Sequence, residues 1–235
     1  MKPVVLIPSY NTGKILPETI EAVLDQFRDV SVVIDGSTDG STELISDALR
    51  AQIDLHEYAP NKGKGAAVFL GAQRAVERGF THLLTIDSDG QHPAEQIPEY
   101  LSVAAENPQA VIYGRPVFDA DAPAARVQGR KISNQLVEFE TRGGGIDDVL
   151  FGMRCYPIDA LLSAMEETRF GRRYDFDTEV AVRLAWAGVP AINLPTPVRY
   201  LRPEDGGISH FRYLRDNLLL GTMHARLLAG WFQRA

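Results

Sequence analysis

Across the first two-thirds of the chain, short unbroken apolar runs alternate with stretches that are apolar at every third or fourth position. The runs PVVLI (3–7), VSVVI (30–34), THLLTI (81–86) and AVIYG (110–114) do not alternate polar with apolar, so they predict strands covered on both faces. IDLHEY (53–58) is a weaker fifth candidate. Between them, ILPETIEAVLDQF (15–27), STELISDALRA (41–51), KGAAVFLGAQRAVERG (64–79) and AEQIPEYLSVAAEN (94–107) carry helical spacing. Strand and helix in repetition predict right-handed crossovers: an α/β, Rossmann-like, mostly parallel sheet with helices on both faces. Ligands of such sheets gather beyond the carboxyl ends of the strands. The polar groups Ser9-Tyr10-Asn11, Asp35-Gly36-Ser37 and Asp87-Ser88-Asp89 fall there.

Beyond residue 115 the pattern loosens. A polar loop gives way to a helix over about 122–140, then to three glycines, 143–145, that suit a tight turn. YDFDTEVAVRLAWAG predicts a helix from Phe176 stopped by Gly188, and AINLPTPVRYL an extended segment broken by prolines. The last stretch, FRYLRDNLLLGTMHARLLAGWF, is a helix with one apolar side and several arginines. This divides the chain into a catalytic domain, 1–210, and a C-terminal amphipathic helix, 211–235. Leu214, Leu218, Met223, Leu227, Trp231 and Phe232 suit packing on the domain or on the partner of a homodimer. With Arg212, Arg215, Arg226 and Arg234 the same helix suits an anionic membrane surface.

A chain of 235 residues with 45% hydrophobic and 23% charged residues can bury a full core. The net charge of −7 argues against a nucleic-acid partner, though a divalent cation can bridge acidic residues to a phosphate-bearing small molecule. One cysteine, Cys155, forms no internal disulfide. No run of about 18 apolar residues and no signal-type N-terminus occur. The expected location is the cytoplasm, peripheral at the inner face of the membrane.

Asp87 and Asp89, at i and i+2, can converge on one hard cation, because Mg²⁺ uses one or two carboxylates with phosphate oxygens and water. Asp-x-Asp is also an ordinary turn sequence, and the spacing by itself favours the turn. Asp35, at a strand end, can accept from the imide N–H of a base, with Tyr10 against the same base. NKGKGAA places Lys62 and Lys64 before a helix N-terminus, a phosphate-binding position. Neither G-x-x-x-x-G-K-[ST] nor G-x-G-x-x-G is present. His92, before Pro93, reads as a turn residue, His224 as surface, and Cys155 as simply buried.

VVLIPSYN, VVIDGSTDGS, NKGKGAA, TIDSDGQHP, YGRP, DVLFGMR, FDTEV and GGISH stand in the order seen in glycosyltransferase family 2. Over about 3–210 the chain resembles the GT-A-type catalytic domain of that family, most of all the dolichyl- or polyprenyl-phosphate sugar synthases. The resemblance implies an inverting, metal-dependent transfer from a nucleoside-diphosphate sugar to an acceptor, lipid-linked or a cell-envelope hydroxyl. It implies a divalent cation, Mg²⁺ or Mn²⁺, on Asp87 and Asp89 with help from Gln91 and His210. Tyr10 and Asp35 match base-binding positions, with Pro8, Asn11, Gly36, Ser37, Lys62, Lys64, Ser88 and Arg115 also on the donor side. Arg115 and Arg154 match arginines that face phosphates, and Asp148, Asp177 and Glu179 are rival bases. Asp177 also reads as a helix cap, and Arg154 as a structural partner of Asp148.

Two positions depart from the pattern: Ile34 replaces the first of two aspartates, and His210 replaces a lysine of the prenyl-phosphate branch. A histidine is not a permanent cation. Two other readings are weighed. A sugar-phosphate nucleotidylyltransferase needs a G-x-G-x-R loop, which PSYNTGK is not. A silent nucleotide-binding subunit would have lost one of the acids, and all are kept.

Overall fold

Seven strands form one sheet in the computed structural model, which describes residues 1–118, 124–198 and 213–234. The strands are β1 (Pro3–Ser9), β2 (Val30–Asp35), β3 (Asp54–Tyr58), β4 (His82–Thr85), β5 (Val111–Val117), β6 (Arg154–Pro157) and β7 (Ala191–Pro197). Their order is β3-β2-β1-β4-β6-β5-β7, parallel except for β6, which runs antiparallel to both β4 and β5. The helices are α1 (Ile15–Leu24), α2 (Asp47–Arg50), α3 (Lys64–Glu77), α4 (Ile97–Glu106), α5 (Ala124–Glu140), α6 (Ile158–Glu166), α7 (Phe176–Trp186) and α8 (Tyr213–Arg234).

The apolar runs are continuous because each strand packs on two sides. In β1, Val4 and Leu6 belong to a core shared with α3, α6 and α7, while Val5 and Ile7 face α1 and α4. Leu83 and Leu84 divide in the same way. Full two-sided burial holds Cys155 inert, its thiol pushed up to about 12 by loss of solvent.

One sequence expectation is corrected, and two details are added. The helix over 41–51 shrinks to α2, whose N-cap is Ser46, with its hydroxyl accepting from Leu49 N–H at 3.3 Å. Asp39 instead closes the preceding turn by accepting from Gly13 and Ser41 N–H. The segment 154–166, given no element above, supplies β6 and α6.

Candidate active site

Asp87 and Asp89 stand just past the end of β4. The Ile86 N–H donates to Leu6 O at 3.0 Å, which ties this exit to β1. Lys64, in the first turn of α3, places Nζ 2.8 Å from Asp87 Oδ1 and 2.8 Å from Asp177 Oδ2. One ammonium thus joins the β4 loop to the start of α7. Burial alone would raise the Asp87 carboxyl, but Lys64 and His92 hold it below the usual carboxylate range. Asp89 is pushed the other way, by burial and then by the Asp87 charge. The second oxygen of Asp177, Oδ1, is buried without a hydrogen-bond partner.

His92 is corrected from a turn residue to part of this site. Its Nδ1 accepts the Asp87 N–H at 2.9 Å, so in the neutral ring Nε2 carries the proton, 3.7 Å from Asp87 Oδ2. The ring meets the Phe151 ring edge-on at 4.6 Å. Asp87, Asp89, Gln91, His92 and Arg130 line one cavity of about 120 Å³. Arg130 of α5 escaped the sequence reading altogether, since a lone arginine in an amphipathic helix reads as solvated surface. Asp148 holds it there: Asp148 Oδ1 accepts from Arg130 Nη1 at 2.6 Å and from Leu150 N–H at 2.9 Å.

Gly152 floors the same cluster. A Cβ there would lie 2.5 Å from Asp87 Oδ2 and 2.6 Å from Lys64 Nζ. Its backbone conformation is open to any residue, so the obstacle is the Asp87–Lys64 pair itself. Gly152→Ala is expected to lower kcat/KM by on the order of a hundredfold by displacing that pair, with a circular-dichroism spectrum unchanged from wild type. Steady-state kinetics on the purified variant checks this.

The other two strand ends converge beside it. Asp35 is buried, and its carboxylate accepts from Asn61 Nδ2 at 2.9 Å, Lys62 N–H at 2.6 Å and Gly63 N–H at 2.7 Å. It therefore fastens the approach to α3, in place of the projecting carboxylate expected. Gly36, at φ +65°, is seated so closely that a Cβ would come within 2.5 Å of Asn61 N. Asn11 Oδ1 accepts from Thr38 N–H at 2.7 Å, and Ser37 Oγ accepts from Asn11 N–H at 3.0 Å, which locks the ends of β1 and β2 together. Tyr10 is half-buried at the same edge, Pro8 is buried in β1 and Ser88 is buried between the two aspartates. The Lys62 ammonium lies 5.0 Å from the Tyr58 ring centroid. Arg115 stands apart, half-exposed, with Nη1 3.6 Å from Asp147. His210 lies outside the described residues.

Two candidates are placed inside the protein. Arg154 is 0% exposed and donates to Phe151 O at 2.8 Å, Val149 O at 2.7 Å and Asp177 O at 2.6 Å. A phosphate-facing role does not fit this placement, and the expected pairing with Asp148 is corrected because Arg130 takes that carboxylate. Glu179 is 1% exposed, paired to Arg183 at 2.8 Å and to Arg226 of α8. His224, expected at the surface, is buried with Nδ1 2.9 Å from Glu140 Oε1. Met223 and Leu227 are buried in the core shared with α3 and α7. So α8 packs on its own domain, and Leu218 and Phe232 remain exposed. Asp177 lies one residue inside α7, whose N-cap position is Asp175, and so caps nothing.

The donor set suits a hard divalent ion. Among the described residues no three acidic, imidazole or thiol side chains converge to hold a metal. Two adjacent carboxylates and an amide line the cavity, however, and an ion that shares its ligands with substrate phosphates and water needs no more from the protein.

The chain is similar to several known proteins. Residues 4–161 match the profile described as Glycosyl transferase family 2. The chain is 26% identical to the undecaprenyl-phosphate mannosyltransferase of Micrococcus luteus, over 83% of this chain and 82% of that protein. It is 28% identical to the polyprenol monophosphomannose synthase of Mycolicibacterium smegmatis, over 81% and 75% respectively. Among solved structures it resembles the glucosyl-3-phosphoglycerate synthase of Mycobacterium tuberculosis in complex with Mn²⁺, uridine diphosphate and glucosyl-3-phosphoglycerate. The TM-score is 0.62 at 17% identity, covering 99% of this chain and 79% of that one.

Proposed function

This chain belongs to glycosyl transferase family 2 and is a glycosyltransferase of the GT-A fold, and from that premise we propose that it moves a sugar from a nucleoside diphosphate to a lipid-linked phosphate or hydroxyl, with inversion. The observation that carries this reading is the pair Asp87 and Asp89 at the end of β4, with Lys64 tying Asp87 to Asp177.

In the proposed reaction an acceptor oxygen attacks the anomeric carbon. The new C–O bond forms as the bond to the diphosphate breaks, and the diphosphate leaves with the electron pair. Asp87 and Asp89, with Gln91, would hold a divalent ion, which as a Lewis acid neutralises charge on the leaving diphosphate. Lys64 and Arg130 add fixed positive charge on the same side. Asp35, Gly36, Ser37 and Asn11 shape the cleft for the base, and Tyr10 stands at its edge. Asp177 is the favoured base for a hydroxyl acceptor, because its Oδ1 has no hydrogen-bond partner, whereas Asp148 is held by Arg130 and Glu179 by two arginines. A phosphate acceptor is already ionised and passes no proton to Asp177.

The relatives whose names carry undecaprenyl phosphate and polyprenol support the lipid-linked acceptor. No helix among the described residues is long and apolar enough to cross a membrane. An edge suited to lipid contact is nonetheless present. Phe139 packs on Trp231 at 5.2 Å, Trp231 on Phe232 at 4.8 Å, and the Arg142 guanidinium lies 5.1 Å over Trp231. Aromatics beside a cation favour the headgroup layer. Trp231→Ser with Phe232→Ser is expected to abolish co-sedimentation with anionic vesicles and to leave turnover of a water-soluble acceptor analogue intact.

The function itself is tested by thermal shift with uridine and guanosine diphosphate sugars, with and without Mn²⁺. One nucleotide sugar is expected to raise the melting temperature, more so with Mn²⁺, since a ligand of the folded state stabilises by mass action. No shift with any of them would overturn the donor assignment.

A further inference from the structure

Lys64 sits where two demands on Asp87 meet. Its ammonium lies 2.8 Å from Asp87 Oδ1 and is itself mostly buried, so its charge is poorly screened by solvent. A divalent cation held by Asp87 and Asp89 would draw on the same carboxylate, and two positive centres that close repel each other strongly where solvent screens them poorly. The structure also offers Lys64 another seat. Asp177 Oδ2 already accepts from Nζ at 2.8 Å, and Asp177 Oδ1 is buried without a partner. The third side of this pocket is closed by Gly152, which leaves no room for any side chain beneath the pair.

We propose that Lys64 is the built-in counter-ion of Asp87, a monovalent occupant that a divalent cation must displace, so that cation loading and release of Lys64 toward Asp177 and the donor diphosphate are one event. This inference rests on the proposed metal-assisted transfer and adds an order to it. With Lys64 in place, the two aspartates bind a bare cation poorly. A diphosphate arriving with its cation gives the displaced ammonium an anion to meet, so the pair enters together. Lys64 then leaves Asp87 only when the donor side is loaded, which links the two halves of the cleft through a single side chain.

The test is Mn²⁺ binding to the full chain, followed by the electron paramagnetic resonance signal of the free ion, with no nucleotide present. Lys64→Met is expected to bind Mn²⁺ at least about tenfold more tightly than wild type, by relief of a like charge at hydrogen-bond range. Lys64→Arg, which keeps the charge, is expected to bind as weakly as wild type. Asp177→Asn leaves Lys64 with Asp87 alone and is expected to weaken Mn²⁺ binding further, an opposite sign that general loosening of the site would not produce. Equal or weaker binding by Lys64→Met, with Asp89→Ala still abolishing it, overturns the counter-ion role and leaves the metal site standing. Should wild type, Lys64→Met and Asp89→Ala all fail to bind Mn²⁺ even with a nucleoside diphosphate added, the metal-assisted reading falls, and this proposal with it.

Discussion

Asp89→Ala is expected to lower kcat/KM for sugar transfer by on the order of a thousandfold, a loss in the range for removing one stabiliser of a developing anion, here the cation that Asp89 would hold. Stability should hardly move, and a small gain is reasonable. Loss of solvent around the half-buried Asp89 raises its carboxyl, and repulsion by the Asp87 carboxylate raises it further. Its hydrogen bond is modest: Oδ1 accepts from Gln91 N–H at 3.1 Å, as any turn aspartate would. That bond permits a clean separation of the two readings of Asp-x-Asp. Asp89→Asn keeps an oxygen for the Gln91 N–H and removes the charge. If the residue only shapes a turn, the asparagine variant works and the alanine variant is impaired. If it holds a cation, both are inactive. Release of nucleoside diphosphate from the donor, measured at saturating acceptor, gives the answer, and an active asparagine variant would overturn the clamp.

Arg154→Ala is expected to act on the fold in place of the chemistry. Removing this guanidinium would leave the carbonyls of Val149, Phe151 and Asp177 unpaired in the core. The loss is expected at about 3–5 kcal/mol, as for breaking other buried charged networks. In a chain of this length that is a fall of roughly 10 °C in melting temperature. Lysine should rescue little, because one ammonium cannot present the planar fork that reaches three separate carbonyls. Urea denaturation followed by tryptophan fluorescence checks this. A variant with wild-type stability and impaired donor binding would return Arg154 to the phosphate-facing role that its motif implies.

The contrast between these two residues shows what the amino-acid pattern could reveal. Asp87 and Asp89 were legible because they follow a run buried on both faces, and such a run has only one place to end in a parallel sheet. Lys64 was legible for a like reason, standing between two glycines at a helix start. The direction of Arg154 was not, because whether a guanidinium points to solvent or to carbonyls is decided by elements far along the chain. The strand it begins, β6, spans four residues and opens with a charge, too short for any period to register. Arg130 and His92 were missed on the same ground. Each becomes part of the site through a partner in the fold: Asp148 for Arg130, and the backbone of Asp87 for His92. The strands of the first half needed no such partner to be recognised.

The way α8 is held has a consequence for how the protein is made. Glu140 is a buried carboxylate whose hydrogen-bond partner, His224, lies 84 residues further along the chain, and buried Glu179, besides nearby Arg183, draws a second arginine, Arg226, from 47 residues on. At about 5–20 residues per second of synthesis, Glu140 waits several seconds or more for its histidine. During that interval a core closed around Glu140 would bury its carboxyl oxygen without the hydrogen-bond partner that α8 brings. The face of α5 that carries Glu140 is therefore expected to stay open on the ribosome until α8 has emerged.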